Sequence, residues 1–380
     1  MEVVKLSHTT DLKECLAKLG VDSGGISILT SKGESHRFLI RNLHVGAANI
    51  LKQDALSVGA DLGVPRGTVV AQEKYVDCVL FATQRELEKL AKKELAQPFG
   101  LKELAQTFTK YLKADTKRDI LLMGVLNAND DSFFSKSRFV AKDACRRIET
   151  MIEDGADIID IGGVSSRPNS EAVSAKEELS RLKDICDTIR EHAYYEQVKF
   201  SLDSYAPSVI SYALESGFRI VNDITGLADD AVCKLCATYD AQAIIMHMQG
   251  TPKTMQEKPH YEDLFAEINS FFTQRIQKAE SFGVKDIVLD VGIGFGKSLD
   301  HNLELLQHLE TFHIHNKALL VGASRKSMID AIRPAVIEER LGGTLAIHLE
   351  SLHRGASIIR AHDVKEHKQA LEVYKAINSK

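Results

Sequence analysis

Val321-Gly322-Ala323-Ser324-Arg325-Lys326-Ser327 joins an apolar run to two adjacent cations that stand between hydroxyl groups. The run that leads into it, 317–321, predicts a short buried strand that ends at a glycine. Two neighbouring cations at a strand end are costly to bury without partners, so the pattern favours a loop that meets an anion or a ring acceptor. A basic loop in solvent is the alternative, and the rest of the chain decides between the two.

Short apolar runs that end in polar residues recur over the C-terminal two thirds of the chain, where they alternate with longer helical patterns. Strands are predicted at 120–126, 156–161, 198–202, 219–222, 242–246, 286–289, 317–321 and 357–360, and a helix is predicted after each. Eight strand–helix units in a stretch of about 260 residues predict an α/β fold, the TIM (β/α)8 barrel. A doubly wound open sheet is the alternative, but no Gly-x-Gly-x-x-Gly follows the first strand, which favours the barrel.

Residues 1–114 predict a separate, small α+β N-terminal domain. Strands are expected at 3–6, 25–30, 35–40 and 76–82, with 25–30 and 35–40 forming a hairpin, and helices at 11–19, 45–58 and 84–95. This order allows a ferredoxin-like sandwich. The polar stretch 114–119 marks the boundary, so the barrel domain is expected at 115–380. No chemistry is predicted for the N-terminal domain.

Composition excludes several classes of protein. The chain has 380 residues, 44% hydrophobic and 27% charged, with a net charge of −5, which argues against nucleic acid as a partner. No apolar run reaches the ~18 residues that a membrane span needs. The first residues lack a signal-peptide pattern, so a cytoplasmic protein is expected. Cys233 and Cys236 have a pair-like spacing, but no second pair follows, which favours reduced thiols over a metal site.

Polar side chains stand at the end of every predicted barrel strand. In a TIM barrel these ends meet at one mouth, where the active site lies. Any single case can be a helix cap or a turn residue, but eight of eight indicate an active site. The strand ends carry Asn127, Asp160, Asp203, Asn222, Met246-His247, Asp290, the Ser324–Ser327 run and Arg360-Ala361-His362-Asp363.

These side chains favour a ligand with a flat heterocycle and an anionic group. Asp203, Asn222 and Asp290 offer acceptors and a paired donor–acceptor edge, which suit a ring bearing N–H and amino groups. The cations around them suit a diphosphate or a carboxylate; they are Arg167, Arg325, Lys326 and Arg360, with His362. Phe295, within a glycine-rich run, is placed to contact an aromatic substrate.

The chain from about 120 to 377 resembles dihydropteroate synthase, the folate-pathway enzyme family. Seven segments match in order and spacing: 123–127 with 131–133, 155–163 with 166–168, 222–224, 246–252, 292–297, 324–327 and 360–364. The resemblance implies that 6-hydroxymethyl-7,8-dihydropterin diphosphate reacts with p-aminobenzoate, using Mg²⁺, and that the chain forms a homodimer. It also implies a site where sulfonamides compete.

The resemblance assigns roles to individual residues. The pterin would be held by Asp203, Asn222, Met246, Asp290 and Lys326. The diphosphate would be held by Asn127, Arg360 and His362, with Asn127 also contacting Mg²⁺. The p-aminobenzoate would lie against Ser166, Arg167, Pro168, Phe295 and Ser327. Arg325 is expected to form a structural ion pair beneath the loop rather than to touch substrate.

The first loop departs from the family pattern, since a Thr-Pro pair, a second Asp and two glycines are replaced between Asn129 and Ser137. Its contacts with diphosphate and Mg²⁺ therefore stay open. Two other functions remain as alternatives: a pterin-dependent methyltransferase barrel, and a pterin-binding protein without catalysis. The combination of Ser324–Ser327 with Arg360 and His362 favours the synthase, because it suits a diphosphate.

Overall fold

The computed structural model describes residues 3–6, 10–114, 118–128, 137–164 and 173–378. The chain divides into two compact units. The first consists of Met1–Asp115 with Ala376–Lys380, and the second is Thr116–Lys375. None of the described helices is both long enough and apolar enough to span a bilayer.

The N-terminal unit is an α+β structure. Its helices are α1 Leu12–Lys18, α2 Ser23–Gly33, α3 Val45–Val58, α4 Gln84–Glu94 and α5 Leu101–Lys113, and its strands are β1 Ser35–His44, β2 Asp61–Gly63 and β3 Tyr75–Thr83. The sheet order is β1-β3-β2, and both strand pairs are antiparallel. Alternate residues of β3 are buried, which gives the sheet one face toward the core.

Part of the predicted N-terminal structure is wrong. Residues 25–30 lie in helix α2, not in a hairpin strand, because Asp22 accepts a hydrogen bond from the Gly24 N–H and starts a helix. Residues 3–6 form no strand. The described strands therefore number three, and the four-stranded ferredoxin-like order is not formed. The helix at 84–95 is confirmed, and Thr83 and Glu86 form its capping box.

The second unit is a closed barrel of eight parallel strands, as predicted. Its strands are β4 Leu121–Asn127, β5 Ile158–Gly162, β6 Lys199–Asp203, β7 Ile220–Asp223, β8 Gln242–Met246, β9 Ile287–Asp290, β10 Ala318–Val321 and β11 Ile358–Ala361. They pair in chain order, and β11 closes on β4. This confirms the TIM barrel, and each predicted barrel strand lies within two residues of an observed one.

Helices surround the barrel. They are α6 Ser137–Glu153, α7 Ala175–Glu191, α8 Pro207–Glu215, α9 Asp230–Thr238, α10 Leu264–Ser281, α11 Leu299–Gln307, α12 Ser327–Ile332, α13 Leu341–His353 and α14 Val364–Asn378. Their apolar faces and the outward faces of the strands form one large buried cluster. A smaller cluster fills the barrel interior, with side chains from seven of the eight strands. The barrel interior is therefore packed, and the carboxyl end of its strands is where side chains can meet a ligand.

Glu94 is a buried carboxyl in the core of the N-terminal unit, with its side chain 0% exposed. Burial, followed by the negative charge of Asp54, raises the pKa of Glu94 to about 7. Asp54 itself is bound by Lys93 Nζ at 2.7 Å and by Gln97 Nε2 at 3.0 Å. The Asp54 carboxylate is thus paired with a cation, whereas Glu94 is held as the acid.

This predicts that stability falls as the pH rises. The folded-state pKa of Glu94 lies above its ordinary value of 4.5, so the folded chain binds a proton more tightly than the unfolded chain. Stability is therefore lost between about pH 4.5 and 7. Glu94→Gln should raise the thermal midpoint more at pH 8 than at pH 5.

Glu88→Gln, on an exposed position of the same helix, is the matched control and should change neither midpoint appreciably. An equal shift at both pH values in Glu94→Gln would contradict the raised pKa.

Candidate active site

A polar layer lies directly above the apolar interior of the barrel. Side chains of a strand alternate between its two faces, so the residue two positions after an interior residue also points inward. The interior positions include Ile158, Ser201, Ile220, Val288 and Ile358. The residues two positions later are Asp160, Asp203, Asn222, Asp290 and Arg360. The mouth is therefore polar because, on these strands, an interior residue is followed two positions later by a charged or amide side chain that also points inward.

The pairing of the strands places these side chains side by side. Asn127 on β4 is in register with Gly162 on β5, Gly162 with Asp203 on β6, and Asp203 with Asn222 on β7. On the other side of the barrel, Met246 on β8 is in register with Asp290 on β9. Residues far apart in sequence thus form two rows of register partners at the carboxyl end of the barrel, one from Asn127 to Asn222 and one of Met246 with Asp290.

Arg360 links two carboxylates across the mouth. Its Nε donates to Asp160 Oδ2 at 2.6 Å, and its Nη2 donates to Asp203 Oδ2 at 2.8 Å. Although burial opposes the charge, the two carboxylates raise the pKa of the Arg360 guanidinium. Arg360 therefore holds the polar layer together from within, in addition to any contact it makes with a ligand.

Asp160 is a site residue whose role the sequence pattern did not predict. Its side chain is 0% exposed, and Oδ2 also accepts a hydrogen bond from Asn222 Nδ2 at 3.1 Å. Its Oδ1 has no partner among the described residues. The signal that predicts its orientation is its place two residues after the interior Ile158, in register with the interior Ser201 on the next strand.

Asp290 and Lys326 form the opposite side of the mouth. Asp290 Oδ1 accepts from the Gly292 N–H at 2.7 Å. Lys326 Nζ donates to the Ile293 carbonyl and lies 4.5 Å from the ring centroid of Phe295. The predicted lysine, carboxylate and aromatic ring are therefore brought together by the loop after β9 and the loop after β10.

The environment moves the pKa values of these groups toward neutral pH. Burial raises the pKa of Asp203 to about 7, with Arg360 opposing, and burial also raises the pKa of Asp290. Burial lowers the pKa of Lys326 to about 8, with Asp290 opposing. The pKa values of Asp203 and Lys326 thus lie closer to neutral pH than their ordinary values, as is typical of binding and catalytic sites.

A buried lysine holds the glycine-rich loop after β9 against the loop after β8. Lys297 Nζ lies 3.0 Å from His247 Nδ1 and donates to the Phe295 carbonyl at 2.9 Å. Burial lowers the pKa of Lys297 to about 7 and that of His247 to about 2. A Cβ at Gly292 (φ +67°) would lie 2.0 Å from the His247 carbonyl oxygen, so only glycine fits there.

Arg325 forms a structural ion pair, as predicted. Its Nε and Nη2 bind the two oxygens of Asp363 at 2.9 and 2.6 Å, a bidentate ion pair between the loops after β10 and β11. The neighbouring Ser324 Oγ lies 2.9 Å from His362 Nδ1 and accepts from the His362 N–H at 3.2 Å. His362 is therefore positioned by the same pair of loops.

The remaining predicted residues divide into two groups. Asn127 ends β4, Met246 ends β8, and Ser327 begins α12, so all three stand at the carboxyl end of the barrel. Ser166, Arg167 and Pro168 lie outside the described residues, as do 129–136 of the altered first loop.

Comparison with known proteins identifies the family. The family model described as "Pterin binding enzyme" matches residues 123–362, which include every described residue of the polar layer. The chain belongs to this family. It is 42% identical over 258 residues to the Escherichia coli dihydropteroate synthase, covering 67% of this chain and 90% of the relative. A Yersinia pestis dihydropteroate synthase, solved as a sulfonamide drug complex, aligns with a TM-score of 0.64 and 36% identity, covering 70% of this chain and 96% of that one.

One similar protein includes the N-terminal region. The chain is 42% identical over 375 residues to a Helicobacter pylori protein named "Bifunctional dihydropteroate synthase/dihydropteroate reductase". The alignment covers 99% of both chains. Within the pterin-binding family, the N-terminal unit is therefore shared with this relative, while the alignment with the E. coli enzyme covers 67% of this chain.

Removing the central guanidinium should destabilise the barrel in a pH-dependent way. Arg360→Met leaves Asp160 and Asp203 without their cation, which should lower the free energy of unfolding by roughly 3 kcal/mol at pH 8. At pH 5 the loss should be smaller, because Asp203, whose pKa is raised to about 7 by burial, is then protonated. Urea denaturation at the two pH values measures it.

The control is Arg354→Met, which removes an exposed ion pair with Glu350 at 2.8 Å and should cost less than about 1 kcal/mol. Equal losses for the two variants would show that Arg360 does not hold the polar layer.

Proposed function

We propose that the barrel joins 6-hydroxymethyl-7,8-dihydropterin diphosphate to p-aminobenzoate, giving 7,8-dihydropteroate and diphosphate in folate biosynthesis. The observation that carries this is the polar layer, which lies inside the pterin-binding family match. Asp203, Asn222 and Asp290 stand there at the carboxyl ends of their strands, and Lys326 follows in the loop after β10. The reaction is a group transfer, so the protein is a transferase.

The pterin would lie on the polar layer. Asp203 and Asp290, once ionised, accept hydrogen bonds from ring N–H and amino groups, and Asn222 presents both a donor and an acceptor. Asp160 Oδ1, which lacks a partner among the described residues, is a further acceptor beside Asn222. Met246 is buried at 3% exposure and supplies an apolar contact for the ring. Lys326 donates toward the same ring from above.

The p-aminobenzoate would lie farther out, against Phe295 and Ser327. Both flank Lys326: Phe295 through its ring and Ser327 as the next residue in the chain. Ser166, Arg167 and Pro168 are proposed to complete this site from outside the described residues. Since the Yersinia pestis relative was solved with a sulfonamide drug, we propose that sulfonamides compete here as well.

The diphosphate would be bound by Asn127, Arg360 and His362. Mg²⁺ fits this set, because Asn127 offers a hard amide oxygen and Mg²⁺ takes most of its ligands from water and substrate phosphates. Among the described residues, no three His, Cys, Asp or Glu side chains cluster as metal ligands, so Asn127 would be the protein ligand. When bound, Mg²⁺ would neutralise charge on the leaving diphosphate.

The chemistry is a substitution at the pterin methylene carbon. The bond from that carbon to the diphosphate oxygen breaks, and both electrons leave with the diphosphate. Lys326, Arg360 and His362 stabilise the negative charge where it develops. The electron-rich pterin, held by ionised Asp203 and Asp290, stabilises the carbon left behind. The amine nitrogen of p-aminobenzoate then forms the new bond and loses a proton, so no covalent enzyme nucleophile is required.

The two alternatives make different demands on the site. A methyltransferase barrel would share the pterin-binding residues but needs no cations for a diphosphate. The mouth of this barrel has Lys326, Arg360 and His362. A pterin-binding protein without catalysis would keep the same pterin-binding residues. The two relatives compared above align across the barrel, and both are named as synthases. This supports the synthase over the methyltransferase and over the non-catalytic binding protein.

We propose a second activity, the reduction of dihydropteroate. The Helicobacter pylori relative that aligns over 99% of this chain is named a synthase and a dihydropteroate reductase. The alignment with the E. coli relative, named only a synthase, covers 67% of this chain. The reaction adds a hydride and a proton across the C=N bond of the dihydropterin ring, and a reduced nicotinamide or flavin nucleotide would supply the hydride. We propose that the N-terminal unit takes part.

A homodimer and a cytoplasmic location are further proposals. Exposed apolar side chains at Ile332, Val336 and Ile337 offer surface that a second copy could cover. All six cysteines are unpaired, which suits a reducing compartment.

Substrate turnover tests the synthase proposal. The purified chain, given the pterin diphosphate and Mg²⁺, should release diphosphate only when p-aminobenzoate is present, and dihydropteroate should form in equal amount. Lys326→Ala should lower kcat/KM by at least about 100-fold, because one ammonium faces both the pterin and the leaving group.

The matched control is Lys317→Ala, just before the amino end of β10, where Nζ pairs with Glu280 at 2.8 Å. It should keep wild-type kinetics. Tight pterin binding without turnover in the wild-type chain would instead favour the non-catalytic protein or the methyltransferase.

Reductase activity is tested by supplying dihydropteroate with NADH, NADPH or reduced flavin mononucleotide. The chain should consume donor and dihydropteroate in a 1:1 ratio, because each reduction takes one hydride. The E. coli synthase, which this chain matches over 258 residues, is the control and should consume neither. Failure with all three donors would contradict the second activity.

A further inference from the structure

One face of α13 binds the backbone of the loop that follows β10. The His348 Nε2 accepts a hydrogen bond from the Ala323 N–H at 3.0 Å, and the Thr344 Oγ1 accepts one from the Arg325 N–H at 2.9 Å. Thr344 is 0% exposed and His348 is 1% exposed. Since residues four apart share a helix face, these two side chains form a buried platform under alternate residues of the loop.

The loop needs this support because its backbone is strained. Arg325 has a φ of +56°, a left-handed conformation that side chains other than glycine rarely adopt. Its carbonyl accepts from Arg340 Nη1 at 3.2 Å, so the residue is bound through both its N–H and its carbonyl. Lys326 is the next residue, so the orientation of its side chain depends on the backbone conformation of Arg325.

A second buried histidine extends the support to the loop after β11. His348 Nδ1 lies 2.8 Å from His367 Nε2, and His367 Nδ1 lies 2.6 Å from the carbonyl oxygen of Asp363. His367 is 1% exposed. Asp363 is also the ion-pair partner of Arg325. The two imidazoles thus connect Ala323 to Asp363 through the protein interior.

The hydrogen bonds require one arrangement of protons. The Ala323 N–H can only donate, so His348 Nε2 must be the acceptor and Nδ1 must carry the proton. His348 Nδ1–H then donates to His367 Nε2. His367 therefore carries its proton on Nδ1 and donates it to the Asp363 carbonyl. All three bonds form only when both rings are neutral.

Neighbouring cations favour a neutral His348, whereas at His367 burial outweighs two carboxylates that favour the cationic ring. Lys326, from the loop after β10, and His362, from the loop after β11, face His348. Asp363 and Glu366, at the start of α14, face His367. Burial lowers the pKa of both histidines. A proton added to either ring would replace an acceptor by a donor and break one of the three bonds.

We propose that His348 and His367 are positioning residues for the condensation, a pair of neutral imidazoles that sets the loop carrying Lys326 against the loop carrying His362. This inference rests on the proposed synthase function. Neither histidine touches substrate. They act through the Ala323 N–H and the Asp363 carbonyl, whose loops also meet where Ser324 contacts His362.

Variants of the full chain separate positioning from mere stability. His348→Leu removes the acceptor for the Ala323 N–H. His348→Gln keeps an acceptor, because its side-chain oxygen extends about as far from the helix backbone as the histidine Nε2. We expect kcat/KM for the pterin diphosphate to fall about tenfold in His348→Leu, the effect of one unsatisfied buried donor, and at most about threefold in His348→Gln.

The matched control is His313→Leu. His313 is half-buried, and its Nε2 lies 3.1 Å from the Gly355 carbonyl, near the opposite end of the barrel. Its kinetics should equal those of the wild type at a temperature where every variant is folded by circular dichroism. Normal kinetics in folded His348→Leu would overturn the proposal, and so would an equal loss in His313→Leu.

A measurement on the unaltered chain does not depend on whether a variant folds. Long-range ¹H–¹⁵N NMR, assigned with His348→Gln and His367→Gln, should show both rings neutral at pH 7 with the proton on Nδ1. A proton on Nε2 of His348, or a cationic ring, would overturn the proposal. A wild-type chain that forms no dihydropteroate would instead contradict the synthase function itself, since these spectra do not depend on turnover.

Discussion

A guanidinium between two carboxylates is the interaction on which the mouth of this barrel depends. Arg360 reaches from the last strand to Asp160 and Asp203 on the second and third strands. Buried charges are tolerated only when they are paired, so each of these groups is present because the others are. The same constraint places Asn222, whose amide binds Asp160. A ligand that enters the mouth therefore meets groups already oriented by one another.

Unlike Arg360, two lysines near the carboxyl end of the barrel are held by backbone carbonyls. Lys326 donates to the Ile293 carbonyl, and Lys297 donates to the Phe295 carbonyl, so the glycine-rich loop after β9 binds both. This leaves charge available for an anionic ligand, because a carbonyl does not neutralise an ammonium group. It also explains the glycines: Gly292 passes so close to His247 that no side chain fits.

The two units of the chain have different relations to known proteins. The barrel is shared with synthases whose sequences end near its limits, whereas the N-terminal unit is shared with a relative named for two activities. Dihydropteroate is the product of the first named activity and the substrate of the second. A chain that carries both would form and reduce the same pterin.

The sequence by itself determined the barrel, because alternating apolar strands and amphipathic helices are local patterns and eight of them leave few folds. It also placed Asp203, Asn222, Asp290, Lys326 and Arg360 at strand ends, since polarity changes abruptly there. It misassigned 25–30 as a hairpin strand, whereas the Asp22 cap starts a helix there. The tertiary structure alone decided which polar residues pair. Asp160 with Arg360 spans 200 residues, and His348 with His367 joins two helices. Such pairs depend on strand register and helix packing, which no local pattern encodes.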